Sequence, residues 1–316
     1  MAISLCSTNV ANTGVIQCDT ALGVPKKIII WNDQVLISSI TGTSAFQSYF
    51  EAATKLAKSD AGKAFVFPEI LDIADNTEAN TTGSLNQGYT AILREGRGSY
   101  TFKVSAGQSL VPKLRKFNNQ NLRILILDSN NNIWGVKSGN YFQGAQATVF
   151  TGGLRYADAQ AVKEGIVDVS VSFLSASELN DSAAFGSVAQ TSGLIGLIDV
   201  TVKQNVAPTA NVYKIGAYID TAKAGSTINL HDTYDNELAA AGLWVAKSGP
   251  TYSTTLTITS VTDDTVNGGW TITFDSTAYT ALTSGTKISL NLAAPSVLDA
   301  AGVSGVEGIA YTFTKP

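Results

Sequence analysis

An apolar run, Ile124, Leu125, Ile126 and Leu127, is followed by five polar residues from Asp128 to Asn132, and then by Ile133, Trp134, Gly135 and Val136. A run this short, bounded by turn formers, predicts a buried strand, a tight turn and a returning strand over 122–136. Asp and Asn suit the turn because their side chains bond nearby backbone groups and tolerate left-handed geometry. On this reading Ile126→Asp is expected to prevent soluble folding, and Asn131→Ala to leave folding intact. Alternation at 166–173 (IVDVSVSF) predicts a half-buried antiparallel strand with Val167, Val169, Val171 and Phe173 on its inner face. Apolar runs at 26–31 (KKIIIW) and 34–40 (QVLISSI) predict two strands around Asn32 and Asp33. Residues 64–70 (AFVFPEI) include a proline and predict an edge strand.

The spacing turns helical at 43–63, where Phe46, Phe50, Ala53 and Ala57 recur at helical steps. Ser44 and Gln47 stand at the spacing of a capping box, and Gly62 fits just past the end. Residues 109–118 predict a short helix capped by Ser109, with Pro112 in its first turn. The runs 89–93 and 99–104 flank 94–98 and predict a hairpin. A strand at 146–150 is expected to end in a turn at Thr151, Gly152 and Gly153, and 175–184 reads as a short helix or loop. A further strand is expected at 194–203. Residues 1–25 read as a polar, extended arm. Residues 72–88 read as a loop, and a loop this long is usually functional or mobile.

Near 204–208 the texture changes. Strands are predicted at 212–219, 227–230, 242–246, 253–261, 270–274, 286–292 and 308–314, with a strong turn at Asn267, Gly268 and Gly269. This density of short strands is the pattern of an immunoglobulin-like sandwich, without its Cys–Trp–Cys signature. The expected fold is therefore mainly β: a β-sandwich or barrel with a flanking α-helix over 1–205, then an Ig-like β-sandwich over 206–316. A length of 316 residues suits two domains.

Composition narrows the function classes. Charged residues are 15% of the chain, against roughly 25% for ordinary globular proteins. So few charges suit a surface covered by other subunits, and an extracellular-type β surface has the same texture. The net charge of −4 gives no overall basic balance for nucleic acid, and only Lys113, Arg115 and Lys116 cluster cations. Cys6 and Cys18 are too few for a disulfide framework or a four-cysteine zinc site, and whether they pair stays open. The N-terminus has neither the basic nor the apolar region of a secretory signal, and no window approaches the 18 apolar residues of a membrane span, so cytoplasmic synthesis and assembly are expected.

Chemistry is sparse. His231 is the sole histidine, and no serine sits in a G-x-S-x-G motif. His231, Asp232, Asp235 and Glu237 could hold a cation, but a turn between strands has the same composition. Asp128, Asn130 and Asn132 imitate a calcium loop, yet Ile133 and Gly139 stand where an EF-hand needs Gly and Glu. Gly96, Arg97 and Gly98 echo a dinucleotide loop but lead into a predicted strand. No enzyme is expected, and no catalytic, cofactor-binding or metal residue is assigned.

Taken together, the polar arm, the 72–88 loop, the hairpin RILILDSNNNIWGV, the strand IVDVSVSF and the sandwich after Pro208 resemble a tailed-bacteriophage major tail (tail tube) protein with a C-terminal Ig-like domain. The resemblance implies a virion structural protein whose rings, commonly of six subunits, stack into a tube through which DNA is ejected. It implies sheets joined between subunits, contacts with other virion proteins, and an outward Ig-like domain with weak affinity for glycans. Another virion component, such as a capsid, head decoration or connector protein, stays open as the alternative, followed by a surface adhesin or a carbohydrate-active module.

Overall fold

The structure is a computed structural model and describes residues 4–5, 23–40, 42–84, 90–105, 110–156, 165–190, 193–221 and 226–316. Most of the expected N-terminal arm, with Cys6, Cys18 and the proposed cap Ser109, lies outside the described residues. The chain divides into two compact units, Met1–Thr54 with Lys58–Gly196, and Leu197–Pro316 with Lys55–Ala57.

The first unit is mainly β. Its strands are β1 (Ser4–Leu5), β2 (Pro25–Trp31), β3 (Gln34–Leu36), β4 (Ala64–Val66), β5 (Ile70–Asp75), β6 (Thr81–Ser84), β7 (Thr90–Arg94) and β8 (Ser99–Ser105). They continue as β9 (Asn121–Asp128), β10 (Asn132–Ser138), β11 (Tyr141–Gln143), β12 (Ala145–Tyr156), β13 (Gly165–Phe173) and β14 (Ala183–Ser187). Its helices are α1 (Thr43–Thr54), α2 (Val111–Leu114), which runs on into the 3-10 turn Arg115–Phe117, and α3 (Ala176–Ser182).

Strands β2 and β9 lie side by side, with Ile29 opposite Leu125 and Ile30 opposite Ile124. Both faces of this pair are covered. Ile28, Ile30, Leu122 and Ile124 enter one core with Phe102, Val104, Val149 and the β13 valines. Ile29, Trp31, Leu125 and Leu127 enter a second core with Phe46, Phe50 and Ala53 of α1. A strand buried on both faces has no solvent side to alternate with, which is why these sequences read as unbroken apolar runs. Full burial of each such side chain contributes about 1.5–3 kcal/mol.

The sheet branches at β9. The turn-proximal end pairs with β10 through Leu127–Ile133 and Ile126–Trp134, so the predicted hairpin is present but short. The start of β9 pairs with β12 on the same edge. From there β10 leads to β14 and β11, while β12 leads to β13, β8 and β5.

Several expectations shift. Helix α1 ends at Thr54. The capping box is absent: Gln47 lies buried, bonding Glu51 and accepting the backbone N–H of Ala189 and Gln190. Helix α2 starts from Leu110, which makes no side-chain cap. Residues 72–88 are not a plain loop. Strand β5 pairs with β8, and β6 pairs with β7, forming a long ribbon in place of the expected hairpin at 94–98. Only Ile70 and Ile73 of β5 reach the core, so the strand carries too little apolar pattern to be read. Gly152 and Gly153 make a bulge inside β12, not a turn. Residues 37–39 form a 3-10 turn, and β3 pairs with β11 instead of β2.

The second unit comprises β15 (Ile198–Thr209), β16 (Val212–Asp220), β17 (Thr227–Asn229), β18 (Trp244–Ser248), β19 (Thr254–Thr255), β20 (Ile258–Asp264), β21 (Gly269–Phe274), β22 (Lys287–Leu292), β23 (Val306–Ile309) and β24 (Tyr311–Thr314). Three short helices, α4 (His231–Tyr234), α5 (Ser276–Ala281) and α6 (Pro295–Ala300), lie between them. One sheet has the order β20-β21-β16-β15, extended by β23, with β17 beside β16; the other has the order β19-β18-β22-β24. Lettered in chain order, these are sheets DEBA and C′CFG, the Ig arrangement. Across this core Trp244 of β18, the C strand, packs against Trp270 of β21, the E strand, with ring centroids 5.5 Å apart. The units part at Gly196, before the expected 205/206 boundary, because β15 runs through that boundary and pairs with β16 and β23 along its length.

Candidate functional site

The turn between β9 and β10 is built around Asp128, which has no exposed surface. Its Oδ1 accepts the backbone N–H groups of Asn130 and Asn132, both at 2.8 Å. Its Oδ2 accepts Trp134 Nε1 at 2.7 Å, the Gly23 N–H at 3.1 Å and Asn132 Nδ2 at 3.4 Å. Beside it, Ser129 exchanges two bonds with Val24: its Oγ accepts the Val24 N–H, and its own N–H reaches the Val24 carbonyl. Asn131 adopts the left-handed φ of 60°, and its carbonyl accepts the Val188 N–H. Asn132 Oδ1 accepts the Ser187 hydroxyl. The calcium-like spelling thus encodes a polar knot tying three distant segments, with donors where a cation's ligands would have to be free. Gly23 is required there, since a Cβ would stand 2.8 Å from Ser129 Oγ and 2.9 Å from the Asp128 carboxyl carbon.

A cavity of about 540 Å³ opens beside this knot. Tyr100, Phe102, Ile124, Ile126, Phe173 and Leu179 form much of its apolar lining. Its rim includes Glu78, held by Arg94, and Asn80, which accepts the Gly96 N–H at 2.7 Å. These groups and Asp128 are engaged in holding the fold. Gly96 belongs to closure, not to phosphate binding: a Cβ there would lie 1.7 Å from the Glu78 carbonyl oxygen. Ile126 lines the cavity and is half-buried, whereas Leu125 and Leu127 have no exposed surface, so Leu125→Asp tests the strand more sharply than Ile126→Asp.

The third feature is the four-stranded part of the sheet, β12-β13-β8-β5. Its inner face carries the core valines. Its outer face carries Ser99, Thr101, Thr148, Ser170 and Ser172, with hydroxyl pairs Ser99–Ser172 and Thr101–Ser170 at 3.2 Å. Phe150 stands 55% exposed among them. Nearby, the β6–β7 ribbon presents Ile92 and Leu93, both largely exposed.

In the second unit, His231 Nε2 lies 2.5 Å from Asp263 Oδ1, and the imidazole meets Trp270 edge-on at 5.3 Å. Asp232 and Glu237 are exposed, and Asp235 is turned to the Asn236 amides. The histidine is therefore paired across to β20 instead of gathering the neighbouring acids. Among the described residues no group of three or more His, Cys, Asp or Glu could hold a metal ion, and no helix is long and apolar enough to cross a membrane. No protein-family model matches the chain, and no curated protein matches it.

Proposed function

We propose that this chain is a virion structural protein of a tailed bacteriophage: a major tail (tail tube) protein that assembles into stacked rings, six copies per ring, forming the conduit for DNA ejection. The observation that carries this reading is the β12-β13-β8-β5 sheet. Its outer face carries rows of hydroxyls, Ser99 with Ser172 and Thr101 with Ser170, beside the paired charges Lys103 and Asp72, and β5 pairs on one side only among the described residues. An open strand edge is an aggregation hazard unless another chain covers it, and joining sheets in a ring removes it. On that face Lys103 is held by Asp72, so the hydroxyl rows offer phosphate few of the cations that hold DNA, and DNA slides past them.

In this reading the Ig-like unit projects outward and makes weak contacts with glycans, other virion proteins bind the tube ends, and assembly takes place in the host bacterial cytoplasm. The protein acts by shape, with no catalysis and no cofactor. Negative-stain electron microscopy of the purified protein tests this. Stacked rings or tubes are expected, and a monomer that persists at high concentration, alone and with its virion neighbours, overturns the reading.

A further inference from the structure

The two sides of the β12-β13-β8-β5 sheet carry opposite charge. On one side lies β5, which pairs with β8 alone among the described residues. Glu69, Asp72 and Asp75 are exposed there, and no Lys or Arg occurs from 64 to 93. Lys103 bonds Asp72 from the neighbouring strand, leaving Glu69 and Asp75 as the outlying acids.

On the other side, beyond the Gly152–Gly153 bulge, residues 154–156 of β12 pair with β13 alone among the described residues. The segment after α2 is fastened beside them. Asn118 bridges to Val149, and its side chain bonds the Thr151 N–H at 2.7 Å and the Thr151 carbonyl at 3.2 Å. Helix α2 and this segment expose Lys113, Arg115 and Lys116, and no Asp or Glu occurs from 96 to 127.

We infer that, resting on the ring reading above, the acidic β5 edge of one copy docks against the basic α2–β12 edge of the next, and that this charge pairing sets the head-to-tail direction of the ring. Two β5 edges repel each other, as do two basic edges, so a two-fold dimer through either edge is disfavoured. Unlike edges attract, and a heterologous contact of this kind closes into a ring when its rotation allows. Strand direction agrees. The four strands are successively antiparallel, so β12 of a rotated copy arrives antiparallel to β5 and continues the same ladder.

Charge reversal tests the inference. One variant carries Arg115→Glu and Lys116→Glu, and the other Glu69→Lys and Asp75→Lys. Both are compared with wild type by light scattering and negative stain at low salt, with thermal unfolding confirming the fold. Each variant alone is expected to need at least tenfold more protein to form rings. An equimolar mixture restores rings, because every contact in an alternating ring is then complementary. Should a reversed variant unfold, Arg115→Gln with Lys116→Gln and Glu69→Gln with Asp75→Asn serve instead, each expected to weaken assembly and to steepen its loss with salt less than wild type does. Wild-type rings with unaffected variants, or folded variants whose mixture stays unassembled, overturn the edge assignment alone. A wild type that never assembles overturns the ring reading with it.

Discussion

Asp128 accepts five hydrogen bonds from two separate stretches of chain, Gly23 and 130–134, and its truncation strands donors in both. Asp128→Ala is therefore expected to destabilise the first unit by about 3 kcal/mol, since each buried donor left unpaired costs about 1–3 kcal/mol. Denaturant unfolding followed by the fluorescence of a variant whose Trp244 and Trp270 are replaced by Phe, so that only the first unit's tryptophans report, checks this, and a loss under about 1 kcal/mol would mean that the knot is ornamental. Asn131→Ala is the milder neighbour, costing about 1–2 kcal/mol for the left-handed φ that Ala tolerates poorly. Asp264 of β20 makes a pH prediction. Burial pulls its carboxyl up, but hydrogen bonds from Asn267 and the Lys214 ammonium outweigh this and hold it below the usual carboxylate range. A lowered folded pKa means that the stabilisation is complete above the unfolded value, about 3.9, and is lost as pH falls through the folded value. Wild type should therefore lose more stability between pH 5 and pH 3 than Asp264→Asn does, and equal losses in parallel denaturant titrations would refute the assignment.

At the scale of elements, legibility follows burial. Strands β2 and β9 were readable because two covered faces leave an unbroken apolar run, and β13 because one covered face leaves strict alternation. Helix α3 was only half legible: 175–184 reads as helix or loop, and the cap that fixes it, Ser175 Oγ accepting the Glu178 N–H at 3.2 Å, is a single polar contact in a polar stretch. In the second unit, turns every ten residues or so marked out the strands of an Ig-like sandwich, though not their order. Strands β5 and β6 were hidden because their sides are exposed, and an edge strand in a protein of few charges has the composition of a loop. The Ser44–Gln47 spacing misled because a buried glutamine can serve a distant backbone segment, Ala189–Gln190, as readily as its own helix start. The knot at Asp128 was legible as turn chemistry but not as a junction, since its partners at Gly23 and Ser187 are remote in sequence. The opposed charges of the two sheet edges were legible only in part: the basic cluster stood out at 113–116, while its acidic counterpart was spread across what read as a loop.

At the scale of the whole molecule, the boundary between the units decides which fragment folds. Texture alone places it at 205/206, where Pro208 follows a polar stretch. The structure places it at Gly196, because the strand that crosses 205 belongs to the sandwich. Val200 and Val202 of β15 have at most 2% of their surface exposed and enter the same core as Tyr213, Trp244 and Trp270. Residues 198–201 are also the parallel partners of β23, from Ile198–Val306 to Thr201–Ile309. A fragment of Leu197–Pro316 therefore keeps its whole core and should unfold cooperatively, with sharp tryptophan and near-ultraviolet dichroism transitions. A fragment starting at Val206 loses both valines, roughly 1.5–3 kcal/mol each, together with the four residue pairs to β23 and four of those to β16. Domains of this size hold only about 5–15 kcal/mol in total, so the shorter fragment should be largely unfolded or non-cooperative at 25 °C. Equal cooperativity in the two fragments would show that β15 is dispensable and would return the boundary to 205/206.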